Sequence, residues 1–169
     1  MKPAPFRVVT GLPFGKGLVA TRDIPKGAVV ARFDTVRTRR VPTYQSVQIG
    51  PHVHIDDPAC LNLLNHSCAP TVRIHVRRKA VLARRRIRKG EILSFFYPST
   101  EWRMARPFPC HCGAPGGLAA VRGARDLPMR VLRRFPQSAH IRRMKERQAR
   151  LGSASRRRRI KARLRRTAA

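Results

Sequence analysis

The chain is short of acid. Asp and Glu together number 8 against 38 Lys and Arg, giving a net charge of +30 over 169 residues. A charge of that size attracts polyanions: nucleic acid, an anionic membrane surface or an acidic protein. The plainer reading, an arginine-rich composition whose charges are solvated, applies more to the front of the chain than to its tail. No apolar run is long enough to cross a bilayer. No apolar signal-peptide core follows Met1-Lys2-Pro3, so the expectation is a protein that is not secreted. Cysteine is sparse, at Cys60, Cys68, Cys110 and Cys112. In a reducing compartment these read as metal ligands or buried thiols, not as disulfides. Two phosphate-binding signatures are also missing. The glycines around Lys16 lack the Gly-Lys-Ser/Thr of a P-loop, and the third glycine and following helix of a dinucleotide fold are absent.

The length suits one domain with appendages. Short alternating or apolar runs punctuated by Gly and Pro fill the first hundred residues. Strands are expected at Phe6–Val9, Leu18–Thr21, Ala28–Phe33, Tyr44–Ile49, His52–Ile55, Thr71–Val76, Lys79–Ala83 and Ile92–Tyr97. Gly11 to Gly17 and Arg37 to Pro42 read as loops. Asp56-Asp57-Pro58 can cap a short helix through Leu64. The pattern is that of a mainly β domain. Ala20 to Gly27 echoes Ala83 to Gly90, each a strand running into an Ile-x-Lys-Gly turn, and reads as similar hairpin chemistry used twice. Pro107 to Gly117 is too rich in Pro, Gly and Cys for a regular element. Leu127 to Ile141 can hold a helix interrupted by Pro136. From Arg142 onward Arg and Lys dominate, and such a block repels itself and has too little apolar surface to fold alone, though it can become helical against a polyanion.

Chemistry concentrates in four places. Lys16-Gly17-Leu18 follows Gly15, and a glycine pair there lets backbone groups approach a ligand; an ordinary hairpin turn is the simpler alternative. Asn65-His66-Ser67-Cys68 follows the apolar pair Leu63-Leu64. It is either a satisfied polar cluster or a binding site. Gly90-Glu91-Ile92-Leu93-Ser94-Phe95-Phe96-Tyr97 is an apolar strand ending in a tyrosine. Cys110-His111-Cys112-Gly113 resembles one knuckle of a zinc site.

In this order, the four signals resemble the SET-domain protein lysine methyltransferases over roughly residues 6 to 123. The resemblance implies a mainly β fold, a β-clip of small sheets with a C-terminal pseudoknot, plus a short helix and a basic tail. With the composition beyond residue 123, it divides the chain into a core at 1–105, a post-core segment at 106–123, a helical segment at 124–141 and a disordered basic tail at 142–169. It implies S-adenosylmethionine as methyl donor, bound by Lys16, Gly17, Leu18, Asn65, His66 and Tyr97. A protein lysine would be the acceptor, with Tyr97 and Tyr44 as the catalytic channel tyrosines. Phe95 falls where the family carries Phe or Tyr, and Phe there accompanies di- or trimethylation.

The resemblance also implies zinc held by Cys68, Cys110 and Cys112. The fourth cysteine of the family pattern is replaced by Gly117, which leaves a tetrahedral site one ligand short. His75 or water could complete it. Phe96 stands where many members have Asp. The partners implied are a protein substrate and nucleic acid through the tail, in the cytoplasm or at the nucleoid or chromatin. The competing reading is a non-catalytic, nucleic-acid-binding basic protein that keeps the fold.

Overall fold

The computed structural model describes residues 3–33 and 37–167. Met1, Lys2 and the last two residues of the tail lie outside them. Twelve short strands appear among the described residues. These are β1 (Phe6–Leu12), β2 (Gly15–Ala20), β3 (Val29–Arg32), β4 (Arg37–Arg39), β5 (Val47–Gly50), β6 (Val53–Asp56), β7 (Asn65–His66), β8 (Val72–His75), β9 (Ala80–Ala83), β10 (Ile92–Phe95), β11 (Phe108–Pro109) and β12 (Ala120–Val121). They form four small sheets, ordered β1-β2-β10-β7, β3-β9-β8, β4-β6-β5 and β11-β12. The mainly β expectation holds.

The late strand β10 is inserted between β2 and β7, antiparallel to the first and parallel to the second. This insertion brings Tyr97, two residues past the end of β10, to the Asn65-His66 pair. It works because every residue of β10 is apolar or small, so both faces can be buried.

The two echoing turns pair with each other. Ile24 and Ile87 exchange backbone hydrogen bonds of 2.8 and 2.9 Å. Gly27 N–H donates to the Ala83 carbonyl and Gly90 N–H to the Ala20 carbonyl, both at 2.9 Å. Each glycine has a positive φ, +83° and +89°, which a side chain would strain. The repeat is thus a reciprocal clasp between the sheet of β1, β2, β10 and β7 and the sheet of β3, β9 and β8. Asp23 braces it through Arg86 and the Lys89 N–H.

Two apolar clusters follow. The larger joins Leu18, Ile55, Leu61, Leu64, Val81, Leu93 and Phe95 across three sheets. The smaller gathers Phe96, Ala124, Leu132, Phe135 and Ile141. It fastens the C-terminal segment, which holds α1 (Met129–Leu132) and the start of α2 (Ala139–Thr167), to the residue before Tyr97.

Several local expectations change. Arg37–Arg39, read as loop, pairs with β6 as an edge strand. Gly15 and Gly17 lie within β2, and the turn itself falls at Pro13-Phe14. Phe108–Pro109 pairs with Ala120–Val121 despite its proline, because a two-residue edge strand loses little by one missing N–H. The basic segment from Arg142, expected to lack structure, continues a helix through Thr167. Arg, Lys, Ala and Leu are good helix formers and no proline interrupts the run, so local propensity outweighs self-repulsion. The expected helix is a single 3-10 turn at Leu61–Leu63, and Asp57 instead holds the loop before it, accepting from the N–H groups of Ala59 and Cys60.

Candidate active site

The site is built where β7 meets the end of β10. Asn65 and His66 pair in register with Ser94 and Phe95. Asn65 Nδ2 donates to the Lys16 carbonyl at 3.0 Å, tying β7 to the hairpin across the sheet. This contact explains Gly17. A Cβ there would stand 2.8 Å from Asn65 Nδ2 and 2.8 Å from Leu12 Cδ1. Leu18 is fully buried in the core, and its position in β2 pairs with both Val8 and Leu93.

A cleft of about 530 Å³ opens beside these strands. Asn65, His66, Tyr97, Phe14, Phe108 and Arg106 are among its walls. Lys16, Gly17 and Leu18 do not line it; Pro13 and Phe14 of the same hairpin do. The hairpin therefore reaches the cleft through its turn and through Asn65. Tyr44 borders the cleft too, 65% exposed, with the Arg106 guanidinium 5.4 Å from its ring centre.

A second, much smaller recess of about 30 Å³ adjoins it. Tyr44, Tyr97 and Met104 border both spaces, so the two tyrosines stand at their junction. Phe95, Leu64 and Glu101 also line the recess. The Tyr97 hydroxyl donates to the Leu64 carbonyl at 2.8 Å, and its ring lies 4.7 Å from that of Phe95. Burial, helped by the nearby Glu101 carboxyl, pushes the Tyr97 phenol above its ordinary range. It stays a neutral donor at any physiological pH.

His66 faces two ways. Its Nδ1 accepts from the Tyr97 N–H at 3.3 Å, and its Nε2 lies 3.4 Å from Cys68 Sγ. Burial pushes its pKa down to about 4, so the ring is neutral. With Nδ1 accepting, Nε2 carries the proton and points it at the sulfur.

The three thiols foreseen as metal ligands converge. Cys68 Sγ lies 3.9 Å from Cys110 Sγ, and Cys110 Sγ 3.4 Å from Cys112 Sγ. A tetrahedral zinc with Zn–S bonds of about 2.3 Å would set its sulfurs about 3.8 Å apart. Backbone N–H groups already point at two of the sulfurs, Leu118 to Cys68 and Cys68 to Cys112, each at 3.3 Å. Against a desolvation that raises it, N–H donation from Cys68 and Ala114 brings the Cys112 thiol down to about 7. Desolvation instead raises the Cys68 thiol to about 12.

His66 is the fourth donor in reach, all four ligand atoms lying within 4.8 Å of one another. His75 serves elsewhere, its Nδ1 accepting from the Arg78 N–H. Gly117 sits against the cluster: a Cβ there would stand 3.4 Å from Cys68 Sγ and 2.9 Å from the Ala114 carbonyl, so a side chain reaches the thiols only if that loop shifts. Cys60 is a buried core thiol, pushed up to about 12 by desolvation.

Sequence reasoning missed Glu101 and the aromatic walls Phe14 and Phe108. The pairing of His66 with Cys68 had a signal, since residues two apart on an extended chain share a face. The contact of Glu101 with Gln48 had none, because 53 residues separate them.

Comparison with known proteins gives a consistent picture. A family model described as the SET domain matches residues 15–98. The methyltransferase flvH of Aspergillus flavus is 33% identical over 142 residues, covering 82% of this chain and 80% of that protein. The histone-lysine N-methyltransferase trr of Drosophila melanogaster is 30% identical over 123 residues, 60% of this chain but 5% of that much longer protein. Among solved structures, the methyltransferase domain of human histone-lysine N-methyltransferase SETMAR superposes with a TM-score of 0.52 at 22% identity, over 70% of this chain and 58% of that one. KRYPTONITE, solved in complex with mCHG DNA and SAH, gives 0.55 at 20% identity, over 68% and 28% of the two chains. At these identities the structural likeness speaks for the fold.

Proposed function

The chain belongs to the SET-domain methyltransferases, and from that premise we propose that it transfers a methyl group from S-adenosylmethionine to a lysine side chain of a protein. The observation that carries this reading is the junction of two spaces at Tyr97: a cleft of cofactor size on one side and a narrow recess of mixed polar and apolar lining on the other. The donor, when bound in the cleft, supplies an electrophilic methyl on a sulfonium. The chain's own part is to bind, align and dry the reacting groups.

Asn65 and His66 form the wall of the cleft that receives the cofactor. The backbone from Lys16 to Leu18 supports that wall through the Asn65 amide. Tyr97 separates the two spaces, and its hydroxyl is already fixed by the Leu64 carbonyl. A neutral phenol held this way is a positioning and hydrogen-bonding group, not a base; fixed alignment supplies most of the acceleration. Tyr44 covers the mouth of the recess from the solvent side. Phe95 lines the recess without a hydroxyl, which leaves room for an amine that already carries methyl groups.

Zinc fits the thiol cluster, with Cys68, Cys110 and Cys112 as its thiolates. The His66 ring is within reach, but the Tyr97 N–H occupies its Nδ1 and so favours the tautomer whose Nε2 is protonated. The ion would fasten β11 and the segment beyond it against β7, closing one side of the cleft.

The basic α2 supports a second property, binding of a polyanion beside the catalytic domain. No helix among the described residues is long and apolar enough to cross a membrane. A nucleic-acid-binding protein without catalysis is the reading that α2 alone would favour. Calorimetric titration with S-adenosylmethionine separates the two. Saturable 1:1 binding that weakens in Asn65→Ala supports the enzyme; polyanion binding with no cofactor affinity supports the alternative.

A further inference from the structure

Glu101 is a buried acid that forms no ion pair among the described residues. Only 6% of its surface is exposed, in a chain that carries 38 Lys and Arg. Its Oε1 accepts from the Gln48 N–H at 2.8 Å and from the Thr100 hydroxyl at 3.0 Å. Its Oε2 has no hydrogen-bond partner among the described residues, and the side chain borders the small recess beside Tyr97. Tyr44, Leu61, Leu64, Phe95, Tyr97 and Met104 line the recess with it, Gln48 of β5 donates to it, and His140 of α2 reaches the carbonyl of the neighbouring Thr100. Arg106 is engaged on the outer face of Tyr44. A structural role would not need the charge, since a glutamine could accept the same two hydrogen bonds. A largely desolvated carboxyl with one oxygen free of protein partners, beside a recess, is placed to receive a cationic group there.

We propose that Glu101 receives the target amine: its free oxygen seats the incoming lysine ammonium in the recess and takes one proton from it. This rests on the methyltransferase reading above. The lysine ammonium and the Glu101 carboxylate become a neutral amine and a neutral carboxylic acid, a pair that a desolvated recess favours over two ions. The amine lone pair then forms the N–C bond as the sulfonium S–C bond breaks, giving a neutral thioether and a methylated ammonium. The Glu101 proton returns to solvent as the product leaves. Burial pushes the Glu101 carboxyl up to about 7, which suits a proton acceptor at neutral pH.

The test uses the full chain and Glu101→Gln. With S-adenosylmethionine and poly-L-lysine, the wild-type kcat should rise with pH through about 7. In Glu101→Gln it should fall about a hundredfold at pH 7, and its pH limb should move toward the free lysine value of about 10.4. A variant within threefold of wild type, with an unmoved limb, overturns the proposal. A second arm adds n-butylammonium and follows the carboxyl carbon of Glu101 by NMR in the wild-type protein, which also serves if the variant does not fold. The amine should lower the Glu101 pKa and should bind Glu101→Gln at least tenfold more weakly. An unperturbed carboxyl overturns the proposal. If no methyl is transferred but the amine still titrates Glu101, the methyltransferase reading fails while the amine seat stands.

Discussion

Replacing Phe96 with Ala should cost the protein a large part of its stability. Phe96 is 2% exposed and stacks on Phe135 with centroids 3.8 Å apart and planes 10° from parallel. The Arg84 and Arg134 guanidinium groups lie near the Phe135 ring, at 5.3 and 5.9 Å from its centre. A phenyl side chain burying about 200 Å² at about 25 cal/mol per Å² gives an upper bound near ~5 kcal/mol. Measured Phe-to-Ala losses in cores run about 3–5 kcal/mol, so the expected loss is in that range. Against a total of about 5–15 kcal/mol for a typical domain, this is enough to free the C-terminal segment. Phe96→Asp should lose more at pH 7, because it adds a buried carboxylate to the same cavity. The assay is urea unfolding of Phe96→Ala, Phe135→Ala and the double variant. The two single losses should not add, leaving a coupling of about 1 kcal/mol. A loss under about 1 kcal/mol for Phe96→Ala, or strictly additive losses, would refute the stacked pair as the fastening of that segment.

Three other outcomes are expected. Protein purified without chelator should carry zinc in a 1:1 ratio by mass spectrometry of metals, and Cys112→Ser should lose it. A metal-free wild-type protein with three reactive thiols would count against the site. Glu101→Gln should change stability with a definite sign. A carboxyl raised to about 7 contributes stability below its unfolded value of 4.5, and loses it as pH rises through about 7. Removing the charge should therefore stabilise the protein at pH 8 relative to pH 5, by up to about 3 kcal/mol, read from urea midpoints. Deleting 142–169 should abolish tight binding to a DNA duplex, and the intact chain should show a steep fall of log K with log salt; a truncated chain that binds as tightly removes α2 from that role.

The pieces of the site that travel as short motifs were legible in the sequence. Asn65 to Cys68, the strand ending at Tyr97, and the Cys110-Cys112 knuckle each carry their chemistry within a few residues. The thiols meet as expected, and the missing cysteine at 117 falls against them. The mainly β order was legible as well, since Gly and Pro punctuate short alternating runs. What was hidden depends on long-range packing. Glu101 is an ordinary glutamate in sequence, and only the crossing of β5 beneath it makes it a buried, unpaired carboxylate. Phe96 read as a departure from a family pattern, and its reason lies with Phe135, 39 positions later. Helix α2 is hard to read in the sequence because the self-repulsion of its Arg and Lys opposes the helix preference of the same residues and Ala. The paired Ile-x-Lys-Gly turns were seen as repetition, but sequence alone could not show that they clasp each other.

The most direct measurement is methyl transfer itself. The full chain is incubated with S-adenosylmethionine labelled in its methyl group and with a mixture of basic proteins, and the products are hydrolysed to amino acids. Label should appear in N-methylated lysine, and Tyr97→Phe should slow its appearance while leaving cofactor affinity within a few-fold of wild type. A protein that binds the cofactor but leaves no label on lysine, or a Tyr97→Phe variant as fast as wild type, would contradict the assignment of this junction as the place of transfer.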